Sequence, residues 1–240
     1  MEPNNNLYSN DYGGYGYAAP EITLSQYVVR TFTWMFIGLL VTFGIAYGGY
    51  ATGMILYVFT VPYLPIILLV AEVALVMILA ACIQKLSVGA ARALFIGYAI
   101  LNGVVFSVYF LLFELNSLIL IFAMTALYFG VFALYGHCTK RDLSGLRPIL
   151  VGGLIFLLVV GLLSMFLPLG ALDRIICLIG VAIFLGFTAY DTQKIKSFYA
   201  YYSTDGAMLE KASVFSALQL YLDFVNIFLY LLRFMGKRKN

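Results

Sequence analysis

The sequence predicts an all-α polytopic membrane protein, a bundle of seven transmembrane helices. Three observations lead there. Of the 240 residues, 63% are hydrophobic and 10% charged, with a mean hydropathy of +0.99, far below the roughly 25% charged content of a soluble domain. The apolar residues gather into seven runs close to the about 20 residues that a membrane-crossing helix needs. None of these runs alternates apolar with polar residues, which excludes a membrane barrel and leaves helices.

In chain order the runs are Val28 to Tyr50, Leu64 to Gln84, Ala91 to Phe113, Leu118 to Tyr135, Ile149 to Leu167, Arg174 to Ile195 and Ala212 to Phe234. They break at Val61-Pro-Tyr-Leu-Pro65, Gln84-Lys-Leu-Ser87, Glu114-Leu-Asn-Ser117, His137-Cys-Thr-Lys-Arg-Asp142, Pro168-Leu-Gly170 and Ser203-Thr-Asp-Gly206. Proline, glycine and short polar clusters stop helices there. The connectors are too short for a soluble domain. The expected organisation is a disordered cytoplasmic tail over 1–26, one membrane domain over 27–236, and a basic tail over 237–240. The first segment is polar and rich in Asn, Gly and Tyr, with no basic stretch leading into an apolar one, so it does not read as a signal peptide. Glycines within runs (Gly152, Gly153, Gly161, Gly180) point to close helix packing.

Basic residues in short connectors set the expected orientation. Arg30, Lys85, Arg92, Lys140, Arg141, Arg147, Lys194, Lys196 and Lys211 share the side of the N-terminus, whereas the opposite connectors carry Arg174. The N-terminus is therefore expected in the cytoplasm. Seven full crossings then put Arg233, Lys237, Arg238 and Lys239 outside, so either that tail is tolerated or the last segment enters and returns. The net charge of +3 is small and dispersed, which implies no nucleic-acid partner; the bilayer is the partner that the composition demands. Cys82, Cys138 and Cys177 show no CxxC spacing, and the single His137 leaves no zinc set or resident cofactor.

Charge at membrane depth marks the candidate chemistry, because an Asp at a helix centre costs about 2.5–3.5 kcal/mol. Glu72, Asp191 and Asp223 all lie inside apolar runs, with Asp191 expected near the cytoplasmic end of the sixth. If the last two runs form a hairpin, Asp191 and Asp223 are equidistant from Ala207 and meet at one depth. Two carboxyls held close in low dielectric do not readily both ionise, so one proton tends to be shared. Such a pair senses protons: protonated it bonds two helices, deprotonated it repels itself and opens a path lined by oxygen, the ligand that Ca2+ prefers. Asn226, one turn beyond Asp223, offers a further carbonyl oxygen or a bond to a neighbouring helix.

At these residues the chain resembles a family. Thr188-Ala-Tyr-Asp-Thr-Gln-Lys-Ile195 and Ala217-Leu-Gln-Leu-Tyr-Leu-Asp-Phe-Val-Asn-Ile-Phe-Leu-Tyr-Leu-Leu-Arg233 look like the signature of the Bax inhibitor-1, or transmembrane Bax inhibitor motif, family. The likeness extends over nearly all seven runs, including Leu86-Ser87, Leu101-Asn-Gly103 and Phe166-Leu-Pro168. It implies a seven-helix fold with the last helix central and a pH-sensitive calcium leak gated by the aspartate pair, with Ca2+ as transported ion and transient ligand of Asp191 and Asp223. For a bacterial member it implies the plasma (inner) membrane. The family's second-helix acid maps onto Glu72. A basic latch for the sixth-helix aspartate would fall to Lys85, which lacks the arginine fork; Glu72, Lys85, Asn226 and Arg233 are the candidate supporting polar or latch residues.

Three other readings compete. An intramembrane aspartyl protease also needs two aspartates on adjacent helices, and Tyr190-Asp191 fits, but Leu220-Tyr-Leu-Asp223 stands where a Gly-x-Gly-Asp pattern would be, and no Pro-Ala-Leu follows. A non-transporting membrane regulator of another complex would use the aspartates for assembly alone. A proton-coupled transporter would need paired broken half-helices, which the runs do not show.

Overall fold

The computed structural model describes residues 22–164, 166, 167, 170 and 172–239. Eight helices follow in order: α1 Leu24–Ala51, α2 Met54–Thr60, α3 Leu64–Cys82, α4 Val88–Leu112, α5 Leu115–Cys138, α6 Arg147–Ser164, α7 Leu172–Tyr202 and α8 Gly206–Met235. A 3-10 turn at Ser144–Leu146 precedes α6. Among the described residues six helices are long and apolar enough to cross a membrane, and α3 adds a shorter apolar one. The seven expected runs thus correspond to α1 and α3 through α8. No strand occurs among the described residues, and one isolated bridge joins Phe113 to Arg238.

The helix starts are written in the sequence as caps. Thr23 and Gln26 form a capping box on α1, Ser87 accepts from Ala90 N at 3.1 Å on α4, and Asp205 accepts from Met208 N at 2.9 Å on α8. The caps lengthen the elements relative to the apolar runs. Residues 24–26, expected in the tail, belong to α1, and residues 1–21 lie outside the described part of the chain.

The last helix is central: 67% of its most apolar stretch is buried, against 11–39% for the other crossing helices. It packs on α1, α4, α5 and α7. Tyr221, Phe224, Ile227 and Phe228 of α8 form its buried spine, and Tyr221 bonds Thr42 of α1 through its hydroxyl at 2.6 Å. Close backbone approach is confirmed at Gly180, where a Cβ would meet the Tyr230 ring at 2.7 Å, and at Gly153, where it would meet Ile183 at 2.6 Å. Gly152 and Gly161 have nothing within 4 Å, which corrects the expectation of close packing there.

Both ends of α8 are pinned. At its start Glu210 accepts from Arg30 of α1 (2.9 Å) and Arg92 of α4 (2.7 Å). At its end Lys237 Nζ pairs with Glu114 at 2.9 Å, and Lys239 N donates to the carbonyl of Leu112 at 2.9 Å. Since Arg92 and Leu112 stand towards opposite ends of α4, α8 travels the length of the bundle, about 45 Å at 1.5 Å per residue. The last segment is one continuous helix with no break at which to turn back. Its basic tail is also not loose, because Lys237 through Lys239 fold onto the turn between α4 and α5.

Candidate functional site

Asp191 and Asp223 are brought together. Both line an open-sided cavity of about 490 Å³ between α3, α6, α7 and α8, with Glu72 of α3, Tyr98 of α4, and Gln219 and Asn226 of α8 also in its wall. The two aspartates are buried, at 7% and 4% exposure. Phe184, Phe187 and Leu222 are among the apolar residues of the wall. An acid pair in such a wall has few partners by construction. Asp223 Oδ2 and Glu72 Oε1 are buried with no hydrogen-bond partner among the described residues, and an unsatisfied buried oxygen is costly enough to call for a function.

Asp191 does have a partner. Gln219 Nε2 donates to its Oδ1 at 3.3 Å. This bond corrects the expected register of the hairpin. Helix α7 runs on to Tyr202 and α8 starts at Gly206, so the turn centres before Ala207. Asp191 stands three turns inside its helix rather than near the end, level with Gln219, and Asp223 lies one turn, about 5.4 Å, further along α8. The pair is staggered in depth.

The supporting residues separate into two groups. Glu72 and Asn226 reach the cavity, and Asn226 Nδ2 donates to the carbonyl of Leu222 in its own helix at 2.8 Å rather than to a neighbouring helix. Lys85 and Arg233 do not reach it. The Lys85 backbone closes a turn on Cys82, and among the described residues the side-chain bond to Asp191 comes from Gln219 and not from Lys85. Arg233 instead pairs with Asp173 at the far end, its Nε donating to Oδ2 at 3.1 Å.

Gln219 and the Glu210 clamp were not singled out from sequence. For Gln219 a signal existed: Gln219, Asp223, Asn226 and Arg233 recur at spacings of four, three and seven, one polar stripe on an apolar helix. Gln193 is a further find, tying the loop between α5 and α6 to α7 by accepting from Leu143 N (2.9 Å) and donating to the carbonyl of Arg141 (2.7 Å).

A family model described as "Inhibitor of apoptosis-promoting Bax1" matches residues 24–240. The chain belongs to the Bax inhibitor-1 family. Among Bax inhibitor-1 relatives, the inner membrane protein YbhL of Escherichia coli is 40% identical over 222 residues, 92% of this chain and 95% of its own. An uncharacterized protein of Deinococcus radiodurans is 38% identical over 220 residues, 90% of this chain and 94% of its own. One from Borreliella burgdorferi is 33% identical over 219 residues, with 90% and 94% covered. The Bax inhibitor-1 assignment spans every crossing helix, so the cavity lies wholly within the shared region. Among the described residues no three His, Cys, Asp or Glu side chains gather as a metal cluster, and Cys82, Cys138 and Cys177 are free thiols.

Proposed function

We propose that this multi-pass membrane protein is a pH-sensitive calcium leak channel of the bacterial inner membrane, with Asp191 and Asp223 as its proton-sharing gate and its N-terminus in the cytoplasm. The shared cavity carries the reading. Two carboxyls on adjoining helices line one cavity, and one of them keeps an oxygen that no protein group among the described residues satisfies. With a proton between them the pair is compatible with an apolar bundle; without it the carboxylates repel and favour separation of α7 from α8.

The opened wall offers carboxylate oxygens from Asp191, Asp223 and Glu72 and amide oxygens from Gln219 and Asn226. These are hard donors of the kind that Ca2+ takes in sets of about 6–8. Calcium here is cargo, held in passing. The basic residues on the N-terminal side, and a relative named as an inner membrane protein, support the location and orientation. A non-enzymatic role fits the positions before Asp223, where Leu220 and Leu222 stand in place of glycines that would admit a peptide.

The test is Ca2+ flux by purified protein in liposomes across about pH 5 to 8. The unmodified chain is expected to leak with a pH-dependent rate, and Asp191→Asn and Asp223→Asn to flatten that dependence. Unchanged profiles in both variants remove the sensor role. No flux by the purified protein favours a non-transporting membrane regulator instead.

A further inference from the structure

A second cavity, of about 650 Å³, opens at the other end of α8, with Tyr109, Asp173, Asn226, Tyr230, Arg233 and Arg238 in its wall. It shares a single lining residue with the acid cavity, Asn226. The polar stripe of α8 explains this. Gln219, Asp223, Asn226, Tyr230 and Arg233 alternate steps of four and three, so they stay on one face along about 21 Å of helix. The stripe begins at the bond to Asp191 and ends at the ion pair with Asp173.

One aromatic ring from each cavity wall lies against the other. Phe184 lines the inner cavity and Tyr230 the outer, and their rings stack with centroids 6.0 Å apart and planes 29° from parallel. Tyr230 can lie there because α7 carries Gly180, where a Cβ would meet its ring at 2.7 Å. Asn226, one turn before Tyr230 on α8, lines both cavities, with its Nδ2 turned onto its own helix. Further along α8, Arg233 and Asp173 clasp α8 to α7, with Arg233 Nη2 as well as Nε against the carboxylate. Paired, Arg233 places a fixed positive charge in the mouth and masks the acid. Unpaired, it would leave Asp173 as an acidic group at the entrance of a polar channel.

We propose that the outer cavity is the second mouth of the conduction path, that small cations pass between the cavities beside Asn226, and that the Asp173–Arg233 ion pair is the gate of this mouth. The proposal rests on the conduction reading above, adding its route and a second gate remote from the aspartate pair. Arg233 is then a positioning residue that holds the outer halves of α7 and α8 together.

The experiment reads access rather than flux. Leu222, which lines the inner cavity only, is replaced by cysteine in a Cys82→Ser, Cys138→Ser, Cys177→Ser background, and the protein is placed in nanodiscs with both faces exposed. Labelling by a membrane-impermeant, positively charged methanethiosulfonate is then timed. Arg233→Gln and, separately, Asp173→Asn are each expected to speed labelling about tenfold through a shifted open population. The exchanged pair, Asp173→Arg with Arg233→Asp, is expected to restore the slow rate. Rates within twofold of the parent in both single variants, in monodisperse protein, overturn the gate, as does an exchanged pair that labels as fast as the singles. Fast labelling in a protein that passes no Ca2+ supports the gate while overturning the calcium reading.

Discussion

Gln219 donates from Nε2 to Asp191 Oδ1 at 3.3 Å, tying the acid of α7 to the central helix one turn before Asp223. The bond spans the two helices whose separation the proposed gate requires. Removing its donor with Gln219→Leu keeps most of the volume and frees the Asp191 carboxyl toward the cavity. A hydrogen bond of this kind is worth about 1 kcal/mol, so the basal leak in liposomes is expected to rise about fivefold at fixed pH. A leak that stays at the parent rate would place the bond outside the gate.

At the start of α8, Glu210 is shared by Arg30 and Arg92, and Arg92 also lies over the Trp34 ring at 5.4 Å. All three charged side chains are partly exposed, so each pair contributes no more than about 1 kcal/mol. Glu210→Ala also leaves two arginines facing each other, and a loss of about 1–2 kcal/mol is expected. Thermal unfolding in detergent should show the drop shrinking as salt rises, while Arg30→Ala alone costs less.

Glycine contacts give a paired comparison near the site. A Cβ on Gly136 of α5 would run into the carbonyl of Ala189, two residues before Asp191, whereas one on Gly152 meets nothing within 4 Å. Gly136→Ala is expected to destabilise by about 1–3 kcal/mol and to disturb the pH profile of flux. Gly152→Ala should be neutral or slightly stabilising, by up to about 1 kcal/mol, through helix propensity. Unfolding temperatures of the two variants check this directly.

The loop between α5 and α6 carries an acid response of its own. Ser144 donates to Asp142 from its backbone N–H (2.9 Å) and its hydroxyl (2.7 Å), which holds this exposed carboxyl below the ordinary aspartate range. A lowered folded-state value contributes stability above the unfolded value and loses it as pH falls through the folded one. The protection of amides 139–146, taken relative to the intrinsic exchange rate at each pH, should therefore fall below about pH 4. Asp142→Asn should abolish that step, leaving the protection there unchanged by acid.

What the sequence determined by itself is what depends on local chemistry. Seven runs of membrane length, punctuated by Ser87, Asp205, proline and glycine, dictate seven crossing helices, because lipid leaves a backbone no other way to satisfy its polar groups. The cost of burying charge singled out Glu72, Asp191 and Asp223 for the same reason, and all three line one cavity. Tertiary structure decided what depends on how helices lie against each other. Capping by Asp205 moved the hairpin turn and staggered the two aspartates, giving Gln219 the place beside Asp191 that a symmetric hairpin would have given Asp223. It also sent Arg233 to Asp173 and the basic tail to Glu114, since those partners are distant in sequence and meet only once α8 is threaded through the centre of the bundle.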